Sequence, residues 1–441
     1  MEAQAPGSVA RSGIAVAAAM DDPVGLSGGF RLTHFSPSPP MSAAARALSQ
    51  VACRALDDRD PVRTALLRGL AETSGLHPTS LDRLLQLWAL AWQEPGVLGL
   101  LRRVSGGAEA VRPLGQVAVV APGNLPVATW QAVAEPLLAG NRVRVRPGSG
   151  DPRAPGNLAD ALRIVDPAVA EQIEVVAFER GDDDAWRGFL TDARALAIYG
   201  GDDAVAGVLQ RAGRAGFSGS VRAHGDLQSC AVVHTDVDAT TLRAQALALA
   251  HDALLADGRG CMSLRTVFAL GDETRAAKWH AELALALAET AVRFPAGRLD
   301  PQWQAKGAMA AEEHAFAAAG APRRAVASGD GWWLASRWDD EALRGTASGP
   351  LGPGGRGLEF QAVEGLEQLE RRLSGRAGRL STVALAVPQA QRLPTLQVLE
   401  RLGVHRVCGL GRMQAPPADR APDGHVPLAL FTRLQDVEVE P

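Results

Sequence analysis

The spacing of hydrophobic residues predicts where the chain is purely helical and where strands and helices alternate. In residues 42–104 leucine and alanine recur at helical spacing, with Leu84 and Trp88 as examples, so this region is predicted to be all helical. Residues 116–121 form an apolar run of strand length, and apolar residues at helical spacing follow up to Leu138. The pattern therefore predicts a helical N-terminal layer followed by a first strand–helix unit.

Short apolar runs continue to alternate with helix-like segments through the rest of the chain. The predicted strands cover residues 142–146, 173–178, 194–199, 230–234, 266–270, 358–363, 381–387 and 406–408, and one predicted helix covers residues 240–255. Such alternation indicates an α/β fold with parallel sheets, in which ligands bind at the carboxyl ends of the strands. The segments rich in proline and glycine are predicted to be surface loops, at residues 318–331, 348–357 and 416–424.

Composition and charge narrow the classes of function. The chain has 441 residues, 46% hydrophobic and 21% charged, which is typical of a folded protein with two or three packed units. A formal net charge of -4 gives no attraction to nucleic acid or to an anionic membrane. No run of about 18 apolar residues is present, so we expect no membrane span. Residues 1–41 are rich in Gly, Ser, Ala and Pro and are predicted to be a disordered leader.

The cysteines and histidines favour a soluble protein of the reducing cytoplasm that has no metal site. The four cysteines lie too far apart for a Cys-x-x-Cys site and are too few for a disulfide scaffold. No His-Glu-x-x-His motif or close Cys/His cluster is present, so we expect no metal. We interpret Cys53, Cys230 and Cys408 as buried small hydrophobic residues.

Pro122-Gly-Asn-Leu-Pro126 follows the first long strand, where ligands bind in an open α/β sheet. Two interpretations of Asn124 stay open. In one, its side chain caps the next helix, with Pro126 in the first turn. In the other, its amide points into the crevice and donates a hydrogen bond to a developing oxyanion.

A second motif, Gly258-Arg-Gly-Cys261, precedes the predicted strand at residues 266–270. Its small residues would let Cys261 project from a tight turn as a nucleophile, although a cysteine in such a place is more often a buried hydrophobic residue. Gly352-Pro-Gly-Gly-Arg-Gly357 has the spacing of a dinucleotide-binding loop, but it leads into a strand instead of leaving one. We therefore reject it as a cofactor site.

Taken in this order, the segments resemble the aldehyde dehydrogenase superfamily. The turn at residues 122–126 is similar to the family's Pro-x-Asn-x-Pro turn, and Gly258-Arg-Gly-Cys261 to its Gly-x-x-Cys nucleophile. Arg146-Pro-Gly-Ser149 resembles its Lys-Pro-Ser-Glu cofactor segment, and Gly200-Gly201 its dinucleotide turn. The stretch at residues 403–417, followed by Asp423-Gly424, resembles the acyl-CoA reductases typified by the fatty-acid reductase subunit of bacterial luminescence. The resemblance covers roughly residues 81–440.

The resemblance implies an aldehyde-dehydrogenase-like fold, with a Rossmann-type cofactor domain, an α/β catalytic domain and the helical N-terminal layer. We place the helical layer and dinucleotide-binding domain at residues 42–235. The catalytic domain with the nucleophilic cysteine is expected at residues 236–410, and a C-terminal return segment at residues 411–441. A homodimer is expected from the resemblance alone.

The chain departs from the family at the residue that activates water. Hydrolytic aldehyde dehydrogenases have a Glu-Leu-Gly-Gly segment there, whereas this chain has Arg222-Ala-His-Gly-Asp226. An enzyme that releases an aldehyde has no use for such a base, so the absence favours acyl transfer with reduction. His224 occupies the position, and it either donates a proton to the departing thiolate or orders the turn.

The implied reaction is NAD(P)H-dependent reduction of an acyl thioester, from CoA or an acyl-carrier protein, to the aldehyde. Cys261 would form the acyl-enzyme, and a partner enzyme would supply or consume the acyl group. Arginine at Arg146 and a neutral residue at Ser149 favour NADPH over NADH, because a carboxylate would repel the 2′-phosphate.

Three alternatives remain open. A hydrolytic aldehyde dehydrogenase would need Asp226 or Asp257 as its base, and an acyl-phosphate reductase would share the nucleophile. The third alternative is a non-catalytic subunit that binds an acyl donor or a partner enzyme.

Overall fold

A computed structural model describes residues 37–105, 111–298, 301–321, 324–337, 352 and 355–434. The predicted disordered leader lies outside the described residues up to residue 36, as does most of the predicted loop at residues 348–357. The last residues of the predicted return segment, 435–441, also lie outside them.

The N-terminal layer consists of five helices, α1 (Pro39–Arg54), α2 (Pro61–Leu67), α3 (Leu70–Ser74), α4 (Pro78–Ala91) and α5 (Glu94–Ser105). Proline stands in the first turn of α1, α2 and α4, where its missing N–H leaves no helical bond unmade. The Asp60 side chain caps α2 by accepting a hydrogen bond from the Val62 N–H at 2.8 Å. The predicted helical layer is confirmed, although α1 begins at Pro39 and not at residue 42.

The first large sheet has five parallel strands in the order β4-β3-β2-β5-β6. These strands are β2 (Gln116–Val120), β3 (Arg142–Arg146), β4 (Ile173–Val175), β5 (Ala193–Tyr199) and β6 (Ser220–His224). The helices between them are α6 (Pro126–Leu138), α7 (Ala154–Val165), α8 (Pro167–Ala170), α9 (Asp183–Leu190) and α10 (Asp202–Arg214). The strand order reverses between β2 and β5, and a ligand crevice forms at such a point in open α/β sheets.

The second large sheet has seven strands in the order β13-β12-β7-β8-β11-β10-β9. They are β7 (Gln228–His234), β8 (Leu264–Leu270), β9 (Arg324–Gly329), β10 (Trp332–Arg337), β11 (Gly357–Val363), β12 (Leu380–Ala386) and β13 (Arg406–Cys408). Its helices are α11 (Ala239–Leu254), α12 (Glu273–Arg293), α13 (Pro301–Ala318), α14 (Leu366–Leu373) and α15 (Gln389–Arg401). All neighbouring pairs are parallel except β10 with β9.

Two sequence predictions about these sheets are wrong. The strand predicted at residues 230–234 was placed with the first block, but β7 pairs with β8 and β12 in the second sheet. The chain therefore changes sheet between His224 and Gln228, before the predicted boundary at residue 235. Residues 318–331 were predicted to be a surface loop, yet they include β9. The left-handed Gly331 (φ 69°) lets the chain turn back into β10 as a hairpin.

A small antiparallel sheet joins β1 (Val111–Pro113) to β14 (Thr432–Leu434). The buried Asn141 reinforces this junction, since its side-chain oxygen accepts from the Leu114 and Gly115 N–H groups at 2.7 and 2.9 Å. Its side-chain nitrogen donates to the Phe431 carbonyl at 2.9 Å. The C-terminal segment is thus fastened to the start of the first sheet. Among the described helices, none has the length and apolar character needed to cross a membrane.

Candidate active site

A cavity of about 590 Å³ lies where the first and second sheets meet the N-terminal layer and the C-terminal segment. Of the sequence-predicted site residues, six line it: Cys261, Asn124, His224, Ser149, Gly200 and Gly201. Its walls also contain apolar side chains of α4 and α6, among them Leu84, Leu87, Trp88, Val127 and Ala128. Residues far apart in the sequence therefore form one site.

The turn that carries Cys261 is held in an unusual backbone conformation. Asp257 and Gly258 are both left-handed, with φ of 51° and 67°, and a Cβ on Gly258 would overlap the Gly355 carbonyl. The fully buried Asp257 carboxylate accepts from Arg356 at 2.9 Å, and Arg356 also donates to the Phe294 carbonyl at 2.8 Å. Arg259 reaches back to the N-terminal layer and donates to the Ser74 carbonyl. Residues 257–261, called the nucleophile turn after the role predicted for Cys261, are thus fixed from several sides.

Cys261 is solvent-exposed, although its surroundings are largely protein. Its carbonyl accepts a hydrogen bond of 2.6 Å from the buried hydroxyl of Ser229. Desolvation raises the pKa of the Cys261 thiol, and the charge of Asp423 raises it further, against the opposing charge of Arg420 and a hydrogen bond from Ser381. Cys261 is therefore placed to react but is a thiol at neutral pH.

The structure decides against the capping interpretation of Asn124. Helix α6 has Leu125 as its N-cap residue and no side-chain capping bond. The Asn124 amide nitrogen instead donates to the carbonyl of Arg259 at 2.8 Å, within the nucleophile turn. One amide hydrogen thus fixes Asn124 beside Cys261 and leaves the second for a ligand in the cavity.

His224 ends β6 and lies between an aromatic ring and a carboxylate. Its ring stacks on Tyr199, with centroids 4.3 Å apart and planes 8° apart. Its Nδ1 contacts the Asp423 carboxylate. Burial opposes ionisation of Asp423, but the hydrogen bond and charge of His224, with the charge of Arg420, hold its pKa below the usual value. The pair is an ordered His–Asp arrangement in the cavity wall.

Several cavity residues escaped the sequence analysis. Residues 416–424 were predicted to be a surface loop, but Arg420 and Asp423 from this segment line the cavity. Glu135 also lines it and is 5% exposed; burial raises the pKa of its carboxyl, which accepts from Gln131 at 2.8 Å. Glu135 is the one acidic residue of the largely apolar helix α6, and this was a signal that could have identified it. Asp423 had no comparable signal beyond the Asp-Gly pair.

The cofactor side of the cavity is shaped by glycines. Gly123 packs so closely against Gly148 and Gly150 that a Cβ on either of the latter would overlap its backbone. Gly200 and Gly201 follow β5 and lead into α10, whose first residue, Asp202, is ion-paired with Arg379 at 2.9 Å. The backbone is therefore accessible where β2 and β5 diverge, as a dinucleotide requires.

Arg146 does not line the cavity at its described position, unlike the other predicted cofactor residues. Its guanidinium lies over the rings of Phe178 and Trp186, at 4.9 and 5.6 Å from their centroids, and donates to the Phe178 carbonyl at 3.1 Å. Burial lowers the pKa of Arg146, and the nearby cations Arg180 and Arg211 lower it further. Three arginines thus gather beyond the end of β3.

The remaining cysteines divide by environment. Cys230 is fully buried in β7, where desolvation raises its pKa to about 12, and Cys408 is partly buried. The prediction for Cys53 is wrong, because it lies on the exposed face of α1. A hydrophobic pattern of period three to four leaves the outward face to solvent, whatever the residue type.

The two carboxylates named for a hydrolytic alternative have different positions. Asp226 lines the cavity and receives a weak hydrogen bond of 3.4 Å from the Asp202 N–H. Asp257 is fully buried, bound to Arg356 and to the Gly297 N–H at 3.2 Å. Asp257 is therefore committed to the nucleophile turn.

Comparisons with known proteins identify the family and the fold of the chain. Residues 46–434 match the family model described as acyl-CoA reductase (LuxC). None of the curated proteins compared with the chain matches it.

Solved structures resemble the fold at low sequence identity. An oxidoreductase from Marinobacter aquaeolei has a TM-score of 0.68 and 14% identity, over 92% of this chain and 87% of that chain. A NAD-dependent benzaldehyde dehydrogenase from Corynebacterium glutamicum has a TM-score of 0.68 and 17% identity, over 90% and 83%. A putative methylmalonate-semialdehyde dehydrogenase from Sinorhizobium meliloti, in complex with NAD, has a TM-score of 0.58 and 15% identity, over 90% and 84%. The predicted aldehyde-dehydrogenase-like fold is confirmed.

Proposed function

Because the chain belongs to the acyl-CoA reductase (LuxC) family and is therefore an aldehyde-forming oxidoreductase, we propose that it reduces an acyl thioester through an acyl-enzyme on Cys261. Membership of this enzyme family argues against the alternative of a non-catalytic subunit. The supporting observation is the meeting of Cys261, Asn124 and the Gly200-Gly201 turn in one cavity. The nucleophile and the cofactor approach thus face the same space.

The residues of the cavity divide the chemistry of acylation among them. The Cys261 sulfur attacks the thioester carbonyl, and the free amide hydrogen of Asn124 and the Cys261 N–H stabilise the oxyanion. His224 donates a proton to the departing thiol sulfur. No glutamate stands at the position of His224, so the acyl-enzyme survives until it is reduced rather than being hydrolysed.

A nicotinamide cofactor fits the glycine-shaped side of the cavity. Gly200 and Gly201 bring bare backbone to the crevice between β2 and β5, and Arg379 draws the Asp202 carboxylate aside by ion pairing. When bound, this group supplies the hydride that reduces the acyl-enzyme. Asn124 then binds the oxygen of the thiohemiacetal. Collapse of the thiohemiacetal releases the aldehyde and frees Cys261.

Preference for NADPH is supported by the cations near the end of β3. Burial lowers the pKa of Arg146, and the charges of Arg180 and Arg211 lower it further, against the charge of Glu179. A phosphate among these arginines would relieve their mutual repulsion. Ser149 places no carboxylate against a 2′-phosphate. Both observations favour the phosphorylated cofactor over NADH.

The acyl group is proposed to be aliphatic, since α4 and α6 give the cavity apolar side chains such as Leu87 and Val127. The test is NADPH oxidation with short, medium and long acyl-CoAs and with an acylated carrier protein, while the aldehyde is trapped. Aldehyde formation that depends on a thioester supports the proposal. Acid as the product would favour the hydrolytic alternative with Asp226 as base, and turnover only with an acyl phosphate would favour the acyl-phosphate reductase.

A further inference from the structure

Asp423 has a left-handed backbone conformation. It lies in a short 3₁₀ helix, Pro422–Gly424, with φ 49° and ψ 37°, in the left-handed region that few residues other than glycine adopt. Such strain persists where surrounding contacts hold it, and it concentrates at functional sites. Here it directs the Asp423 carboxylate to the Nδ1 atom of His224.

This contact determines which nitrogen of His224 is free. A carboxylate accepts hydrogen bonds only, so the Nδ1 atom carries the hydrogen and Nε2 has the lone pair when the ring is neutral. Stacking on Tyr199 fixes the ring plane. The His224 and Asp423 side chains are 11% and 20% exposed, so the pair is largely shielded from water.

We propose that Asp423 is a positioning residue that holds His224 as the base for the Cys261 thiol. This inference rests on the proposed function, because it concerns how the acyl-enzyme forms. It adds to the proton donation already assigned to His224 and gives the Asp-Gly pair of the C-terminal segment a role in the reaction.

The need for a base follows from the environment of Cys261. Burial and the charge of Asp423 raise the pKa of the thiol, so the resting sulfur is protonated at neutral pH. The Nε2 atom takes the thiol proton as the sulfur bonds to the acyl carbon. When the carbon–sulfur bond to the donor thiol breaks, the same proton passes to the departing sulfur. The proton count closes, and no oxidant or reductant is needed for acylation.

Other titratable or charged groups lie around the His224–Asp423 pair and enter any pH dependence. They are Glu135 on α6, Tyr199 on β5, Arg222 on β6, His405 before β13, and Arg420 and His425 in the C-terminal segment. Asp423 is the group that bonds to the His224 ring. Replacement of Asp423 by a neutral residue therefore removes the anion that is hydrogen-bonded to the ring and that stabilises its protonated form.

The experiment measures the first-turnover release of CoA from decanoyl-CoA by the full chain, without cofactor, from pH 5 to pH 9. Asp423→Asn keeps the shape and tolerates the left-handed backbone. Asp423→Gly relieves the backbone strain and removes the carboxylate. Asp419→Asn is the matched control, since Asp419 lies in the same segment and pairs with Arg103 at 3.7 Å.

We expect both Asp423 variants to slow acylation by about 10²-fold or more at the plateau, in the range of a general-base contribution. In Asp423→Asn the acid limb of the profile also moves to lower pH. A structural role alone would lower the burst amplitude and leave that limb in place. Asp419→Asn should match the wild type in both respects.

The outcomes separate the two proposals. If the wild type releases CoA and labels Cys261 but Asp423→Asn and Asp423→Gly do so at the wild-type rate, the role of Asp423 is refuted while the proposed function stands. If the wild type itself forms no acyl-Cys261 with any acyl donor, the proposed function fails. Loss of rate with an unmoved acid limb would also overturn the positioning role.

Discussion

Two buried aspartates, one beside the nucleophile and one beside the cofactor loop, are held in opposite ways. Both Asp257 and Asp151 have no exposed surface. Asp257 is ion-paired with Arg356 at 2.9 Å and accepts from the Gly297 N–H as well. Asp151 accepts a hydrogen bond of 3.3 Å from Thr73, and its Oδ2 atom has no hydrogen-bond partner among the described residues.

The difference shows where the fold fixes geometry with charge and where it fixes geometry with backbone. The nucleophile turn depends on a buried ion pair, and the loss of Arg356 would leave Asp257 with only the more distant Arg259, at 3.7 Å. The loop before Asp151 depends on the close approach of Gly123, Gly148 and Gly150, which needs no charge. Burial accordingly raises the pKa of Asp151 to about 6, against the hydrogen bond from Thr73. Five predictions test this contrast.

The largest expected effect is that of Cys261→Ala, which should abolish acyl-enzyme formation and reduction completely. The turn is held by Asp257, Arg259 and Ser229 and not by the thiol, so the melting temperature should change little. Mass spectrometry after mixing with acyl-CoA should find the label on Cys261 of the wild type. Labelling of Cys230 or Cys408 would refute the assignment.

Arg356→Ala removes the closer of the two arginines that pair with the buried Asp257 carboxylate and leaves only Arg259, at 3.7 Å. The free energy of unfolding should fall by about 3–5 kcal/mol, as found for broken buried pairs. Urea denaturation measures this loss. The control is Arg371→Ala, which breaks an exposed pair with Glu367 and should cost no more than about 0.5 kcal/mol. Equal losses in the two variants would contradict the importance of the buried pair.

Asn124→Ala removes a side chain that bonds to the nucleophile turn and faces the ligand. The kcat should fall about 100-fold or more while the affinity for cofactor stays nearly constant. A fall in stability with kcat intact would indicate that the bond to Arg259 is only structural. Rate measurements and a melting curve on the same preparation decide between these results.

Arg146→Ala should raise the KM for NADPH more than that for NADH, because the lost cation faces a 2′-phosphate only in the former. Ser149→Glu should shift preference towards NADH by about 1–3 kcal/mol through like-charge repulsion. The ratio of kcat/KM values for the two cofactors measures both effects. Equal damage to both cofactors by Arg146→Ala would mean that its contacts with Phe178 and Trp186 serve only the fold.

Asp151→Asn should stabilise the protein by an amount that depends on pH. The folded pKa of Asp151, about 6, lies above the value of 3.8 for an unperturbed aspartate, so ionised Asp151 costs stability, and that cost grows as the pH rises from about 4 to about 6. The gain should be absent at pH 4 and about 1–2 kcal/mol at pH 7.5, below the ceiling for two pKa units. Chemical denaturation at both values tests it, and a gain at pH 4 would contradict the cause.

Most strands of the two large sheets could be predicted from the sequence because the signals of a strand are local. Strand-like runs identified β3, β5, β8 and β13, and the helical spacing at residues 42–104 identified the N-terminal layer. The sheet of β7 was predicted wrongly because an apolar run indicates that a strand is buried but not to which sheet the strand belongs. Strand β9 was missed because the glycines that signal a loop also form a hairpin turn.

The candidate site divides in the same way. Asn124 and Cys261 stand in short motifs next to strands, so their neighbourhood was readable from the sequence. The partnership of His224 with Asp423 joins residues 199 positions apart, and no periodicity announces such a contact. The position of Arg146 outside the cavity could not be predicted either, because it depends on contacts with the rings of Phe178 and Trp186 from the segment around α9.

The hydrogen bonds of the buried Asn141 allow the opening of the cavity wall to be measured. The segment with Arg420 and Asp423 returns to the body of the protein through Phe431 and β14, and Asn141 bonds there to Phe431, Leu114 and Gly115 together. Any local unfolding that lets this segment swing away must break the Asn141 bonds and the β1–β14 ladder in the same event. The amide protons of Leu114 and Gly115 should therefore exchange with deuterium at matching rates, and those rates report how often the wall of the cavity opens.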